Sequence, residues 1–131
     1  MTQLRISEAA ALLGVSDDTV RRMVDSGRLP ATSDDAGRLV VAGADVAAIA
    51  QETARPAPVG VVADESARNR MSGIVTRVLT DTVMAQVEMQ CGPFRIVSLM
   101  SSEAVRDLGL EVGTVAVASI KSTNVVVGVA R

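Results

Sequence analysis

Apolar residues recur at three- and four-residue spacing early in the chain and alternate with polar ones late in it. The first pattern predicts helices, the second strands. Ser7 is placed to cap a helix running to about Leu13, with Gly14 as its stop. Ser16 is placed to cap a second helix through about Ser26, and Gly27 ends it. Asp17 and Asp18 sit in its first turn, where the helix dipole favours negative charge. Arg38 to Val41, after the turn Asp34-Asp35-Ala36-Gly37, reads as the return strand of a small hairpin, and Ala44 to about Ala54 as a third helix.

Further on, Gly73 to Leu79 and Val83 to Met89 read as strands, with Val83, Ala85, Val87 and Met89 on one face of the latter. Phe94 to Leu99 follows, then a short helix capped by Ser101 and closed by Leu108-Gly109. Thr114 to Ile120 and Val125 to Val129 complete a set of five strands. Five short strands with one short helix suggest an OB-like barrel. Between the halves, Glu52 to Glu65 carries Pro56, Pro58 and Gly60 and reads as a linker. The expectation is an α+β chain: a helix-turn-helix domain over residues 1–52, a linker over 53–63 and a five-stranded OB-like β-barrel with one short helix over 64–131.

Composition narrows the chemistry. Hydrophobic residues make up 48% of the 131 residues, yet Phe94 is the only aromatic, so the cores must be aliphatic. No apolar run approaches the ~18 residues of a membrane span, and the amphipathic N-terminus does not read as a signal peptide. A single cysteine, Cys91 in a turn, leaves no internal disulfide and suits the cytoplasm. There is no histidine, which removes the commonest metal ligand and general base. The expectation is a protein that is not an enzyme and holds no zinc or iron site. Charge is uneven. Residues 1–52 hold five basic and eight acidic side chains, and residues 53–131 hold eight and seven. Any DNA affinity of the first half must come from a local arginine patch.

Ala10, Gly14-Val15 and Val20 have the spacing of a helix-turn-helix: a small residue where two helices approach, a glycine for the turn, an apolar residue locking the second helix. The stretch Ile6 to Pro30, with Glu8-Ala9-Ala10, Leu13-Gly14-Val15-Ser16 and Ser26-Gly27-Arg28-Leu29-Pro30, resembles the MerR/excisionase-type winged-helix family. That resemblance implies a second helix entering the major groove and a hairpin wing touching the backbone. It places Ser16, Thr19, Arg21 and Arg22 on or near the groove-facing surface, and Arg28 and Arg38 at the wing. Arginine suits such contacts because its planar fork donates bidentately to phosphate or guanine. At the wing tip this chain has Asp35-Ala36-Gly37-Arg38 where the family often has Gly-Gly-His-Arg.

The segment Ser66-Ala67-Arg68-Asn69, followed by Gly73, resembles the opening of Mop-type molybdate-binding domains, the TOBE family. Leu108-Gly109-Leu110-Glu111-Val112-Gly113 matches that family's Leu-Gly-Leu-x-x-Gly turn, and Ile120-Lys121-Ser122 its strand end. The chemistry suits the ligand. Molybdate and tungstate are dianions whose oxygens only accept, so a site needs only donors. Ser66 and Ser122 bring hydroxyls, Arg68 and Lys121 charge, and Ala67 a small side chain that lets its N–H approach. The resemblance implies a site where subunits meet, with the Ser-Ala-Arg segment from one chain and the Lys-Ser segment from another. Ser101 adds a hydroxyl at a helix start; Ala104 stands where the family often has a second one.

Together these imply a cytoplasmic homo-oligomer, at least a dimer and as a trimer of dimers a hexamer, that binds molybdate or tungstate. The implied function is an oxyanion-responsive transcription regulator acting on DNA. The alternative is an intracellular molybdate or tungstate storage or buffering protein whose helix-turn-helix serves assembly.

Overall fold

A computed structural model describes residues 2–55 and 65–130. Most of the linker therefore lies outside the described residues. The chain divides into two units, Met1–Arg55 and Pro56–Arg131.

The first unit opens with a strand the periodicity does not announce, β1 (Gln3–Arg5). It pairs antiparallel with β3 (Leu39–Ala42), Leu4 against Val41. That pairing decides where α1 (Ile6–Leu13) begins. The chain leaves the sheet at Arg5, and Ile6, only 7% exposed, turns directly into the core. Ser7 is therefore inside the helix rather than its cap. Arg5 occupies the N-cap position without a side-chain cap, and its backbone N–H donates to Glu8 Oε1 at 3.2 Å. Gly14 ends the helix at φ 69°, a left-handed conformation that costs a residue with a Cβ about 1–2 kcal/mol. α2 (Asp17–Asp25) is capped as expected: Ser16 Oγ accepts from the Thr19 N–H at 3.1 Å. β2 (Ala31–Ser33) and β3 form the hairpin, giving sheet order β1-β3-β2, and α3 (Gly43–Thr53) follows. Ala9, Ala10, Val20, Leu29, Val41, Val46 and Ile49 join Ile6 in one core, so the small residues of α1 and the valine of α2 do what their spacing requires.

The second unit is one curled antiparallel sheet of β4 (Asn69–Thr80), β5 (Met84–Cys91), β6 (Phe94–Ser101) and β7 (Val115–Ile120), in the order β6-β5-β4-β7. β4 serves two partners. Its first half, Asn69 to Ile74, pairs with β7, and its second half, Ile74 to Thr80, with β5. The register shifts between Val75 and Arg77, an irregularity of the kind that bends a strand and lets one sheet curl. α4 (Ser102–Leu108) connects β6 to β7. The inward positions Val75, Ala85, Val87, Met89 and Cys91 form the core with Val105 of α4.

The expected fifth strand is not formed. Val125 to Val129 belongs to no ladder, and Val126 and Val127 are 93% and 86% exposed. Alternation specifies the faces of a strand, but a strand must also bond to an edge, and in the single chain this segment joins neither edge of the sheet. Among the described residues, no helix is long and apolar enough to cross a membrane.

Candidate oxyanion site and helix-turn-helix surface

The segment entering β4 is extended, with Ser66 and Arg68 exposed and Ala67 only 7% exposed between them. A buried alanine pins the segment to the end of the sheet while its neighbours are exposed. Three hydrogen bonds hold it there. Asn69 Nδ2 donates to the Ile120 carbonyl at 3.1 Å, and Glu65 Oε1 accepts from Ser119 Oγ and from Arg70 Nε, each at 2.7 Å. The Ser119 hydroxyl, and then Arg70, hold the Glu65 carboxyl below its ordinary value.

Asn69 and Ile120 are Cα partners in the ladder. Arg68 precedes one and Lys121 follows the other, so both cations sit at the same end of the β4–β7 pair within one chain. Lys121 is the chain's only lysine. Ser122 opens a 3₁₀ turn, Ser122–Asn124. Ser66, Arg68, Lys121 and Ser122 are all exposed. Among the described residues, neither Arg68 nor Lys121 has a carboxylate partner, whereas five other arginines do. Two uncommitted cations and two hydroxyls thus share one strand end, open to solvent in the single chain.

Ser101 is not placed with them by strand pairing: it is the Cα partner of Met84, where β5 begins. Its Oγ caps α4 by accepting from the Ala104 N–H at 3.0 Å, which leaves its own O–H free to donate outward. The neighbouring Ser102 is buried and holds the Asp81 and Met84 carbonyls, so it is structural.

Gly73 has a packing cause. A Cβ there would lie 2.4 Å from the Gln90 carbonyl oxygen and 2.6 Å from Cys91 Sγ. Only glycine lets β4 lie this close to the end of β5. Cys91, a loop residue by its sequence neighbourhood, is buried in the core as the last residue of β5.

In the first unit, Arg21 and Arg22 lie on the exposed face of α2, opposite the fully buried Val20. Thr19 is half-buried, and its hydroxyl lies 3.0 Å from Ser16 Oγ. Ion pairs engage Arg21 with Asp18, Arg28 with Glu52 and Arg38 with the half-buried Asp34, at 3.5, 3.6 and 3.3 Å. The hairpin turn is built by Asp34, which accepts from the backbone N–H groups of Ala36 and Arg38.

Family models match both units: a TOBE domain over residues 65–127 and a helix-turn-helix domain over residues 4–54. Molybdenum-pterin-binding protein 3 of Clostridium pasteurianum is 38% identical over 63 residues, which are 47% of this chain and 93% of that protein. The chain belongs to the TOBE family. A probable molybdenum-pterin-binding protein of Haemophilus influenzae is 43% identical over 65 residues, 49% of this chain and 94% of that one. Among solved structures, the cytoplasmic molybdate-binding protein ModG with molybdate bound superimposes with a TM-score of 0.50. It is 39% identical, and the match covers 52% of this chain and 49% of that one. Each of these likenesses covers about half of this chain.

Sequence reasoning did not assign a role to Glu65, whose carboxylate fastens the TOBE entry segment to two strands. Its signal was weak, because the partners Arg70 and Ser119 are brought together only by the β4–β7 pairing.

Proposed function

We propose that this protein is a molybdate- or tungstate-responsive, DNA-binding transcription regulator. The observation that carries the anion half is the pair of cations, Arg68 and Lys121, without a carboxylate partner among the described residues, with the Ser66 and Ser122 hydroxyls at one strand end. Such a set offers only donors, which is what a tetrahedral dianion needs. The names of the relatives support the same ligand, and ModG's description as cytoplasmic supports a cytoplasmic protein. The role is binding rather than catalysis.

The site is completed by a second copy. In one chain these donors are solvated, and a dianion held there would compete with water on most sides. The free segment Val125 to Val129 supplies the reason for pairing. Burying a valine is worth about 1.5–3 kcal/mol, and here Val126, Val127 and Val129 stand exposed. β6 and β7 are the free edges of the sheet, and an apolar cleft of about 300 Å3 is lined by residues of both, including Ile96, Met100, Ala116 and Ala118. The segment of one copy fits that cleft of another as the fifth strand of an OB-like barrel. An exchange of this kind carries Lys121 and Ser122 across the junction toward the partner's Ser66, Ala67 and Arg68, with a hydroxyl from Ser101. A two-fold junction repeats the site, and three such dimers make a hexamer.

Residues 4–54 are the DNA-binding half. α2 presents Ser16, Thr19, Arg21 and Arg22 to the groove, with Arg28 and the hairpin's Arg38 as a wing on the backbone. Anion binding at the junction alters how the paired helices are disposed. A storage or buffering role is the second reading, favoured by the acidic balance of residues 1–52 and the ion pairs of Arg21, Arg28 and Arg38.

A gel shift on the DNA upstream of the protein's own coding sequence, with and without molybdate, separates the two. A regulator gives a specific shift whose midpoint moves with molybdate and not with sulfate. Oxyanion binding with no specific shift in either condition establishes storage.

A further inference from the structure

Arg5 stands where a helix least favours it. It is the N-cap of α1, a position suited to Ser, Thr, Asp or Asn, and it makes no side-chain cap. Its charge lies at the positive end of the helix dipole, which is unfavourable. Among the described residues, no carboxylate lies within ion-pairing distance of its guanidinium. A residue that weakens its own helix, and whose side chain has no ion-pair partner among the described residues, has its use elsewhere.

The fold indicates where. The end of β1, the exposed face of α2 and the start of β3 meet around a shallow concavity of about 320 Å3. Arg5, Arg21 and Arg38, one from each of these regions, line it together with Ser7, Asp17 and Leu39. We infer that Arg5, Arg21 and Arg38 form a clamp for one phosphate of a nucleic-acid backbone, beside the helix that enters the groove. The inference rests on the DNA-binding reading of this domain and adds to it both a residue and a ligand group.

The electrostatics permit it. Three arginines line the concavity with one carboxylate residue, Asp17. Asp18 engages Arg21 through Nη1, and Asp34 engages Arg38 through Nε. Each pair leaves the other guanidinium nitrogens of its arginine available, and exposed pairs of this kind hold their partners weakly. They orient two arms of the clamp, while Arg5, outside any ion pair among the described residues, supplies the third. Ser7 adds a hydroxyl donor, and Leu39 gives an apolar wall. A phosphate diester is a single negative charge with two free acceptor oxygens, which suits forked donors arriving from several sides.

The test uses the full chain and a fluorescein-labelled mixed-sequence DNA duplex of about 30 base pairs, titrated by anisotropy across about 50–200 mM salt. Arg5→Ser removes the charge and restores a capping residue, so the variant should fold with a thermal midpoint at or above the parent's. Its affinity should fall about ten-fold, the loss of one hydrogen bond to a charged group. The slope of log affinity against log salt should become shallower by about one per bound chain. Arg5→Lys should keep the parental slope. Parental affinity and slope in Arg5→Ser overturn the clamp while leaving the DNA reading intact. Weaker binding with an unchanged slope also overturns it, since Arg5 then acts through the fold. No duplex binding by the parent at the lowest salt overturns the DNA reading and the clamp together.

Discussion

If each oxyanion site is completed across the junction of two copies, two chains damaged in different places should repair each other. The perturbation is a pair of single substitutions, Arg68→Ala and Lys121→Ala. Both side chains are exposed and, among the described residues, without an ion-pair partner, so neither change disturbs the core. Each removes one cation from a dianion, a loss of about 1.5–3 kcal/mol, the usual size of a hydrogen bond to a charged group. Either variant alone should therefore bind molybdate about ten- to hundred-fold more weakly. The variants are then unfolded, mixed in equal amounts and refolded. Random pairing makes about half the dimers mixed, and a mixed two-fold dimer has one site with both lesions and one with neither. About one quarter of all sites should recover parental affinity, and calorimetric titration should resolve them as a tight phase. The structure sharpens the stakes, because it also places Arg68 and Lys121 at one strand end of the same chain. If a single chain supplied both, every site in the mixture would stay damaged. The absence of a tight phase in assemblies that native mass spectrometry confirms as mixed would refute the exchange.

Truncation after Asn124 removes the exposed valines and leaves β4 to β7 intact; size-exclusion chromatography should show a smaller assembly, and molybdate affinity should drop by at least ten-fold. An unchanged assembly would mean that the segment is not what joins the copies. Gly73→Ala should destabilise the TOBE domain by about 1–3 kcal/mol through overpacking, since its Cβ meets a backbone carbonyl at 2.4 Å. Adding Cys91→Ala should return only part of that loss, because it relieves the sulfur contact and not the carbonyl; a harmless Gly73→Ala in thermal unfolding would contradict the packing account. Backbone N–H groups of Arg38 and Ala36 lower the Asp34 carboxyl, those of Met84 and Val83 lower Asp81, and the Ser119 hydroxyl leads in lowering Glu65. A depressed carboxylate contributes stability that is present above its unfolded value, about 4, and is lost as pH falls through the folded value. Thermal midpoints should accordingly fall between about pH 5 and pH 2, with a shallower fall in Asp81→Asn; identical acid limbs would remove Asp81 from the account.

Local pattern was enough to define most elements. The caps Ser16 and Ser101, the stops Gly14 and Gly109, and the alternation from Val83 to Met89 are decided by residues a few positions apart, so they are visible in the sequence itself. The TOBE motif was legible for the same reason: Ser66 to Asn69 is one contiguous run. Pairing across long separations was not. β1 is only three residues long and exists because Leu4 finds Val41, and that pairing, not the capping preference of Ser7, sets where α1 starts. Val125 to Val129 shows the opposite failure, a strand pattern that joins no edge of its own chain's sheet. Cys91 reads as a loop residue beside Gly92-Pro93, yet the β4–β5 ladder buries it and forces glycine at position 73. Arg5 gains its meaning only from the concavity it shares with Arg21 and Arg38. Each of these depends on chain segments far apart in sequence, whose contact is a property of the folded sheet rather than of any local window.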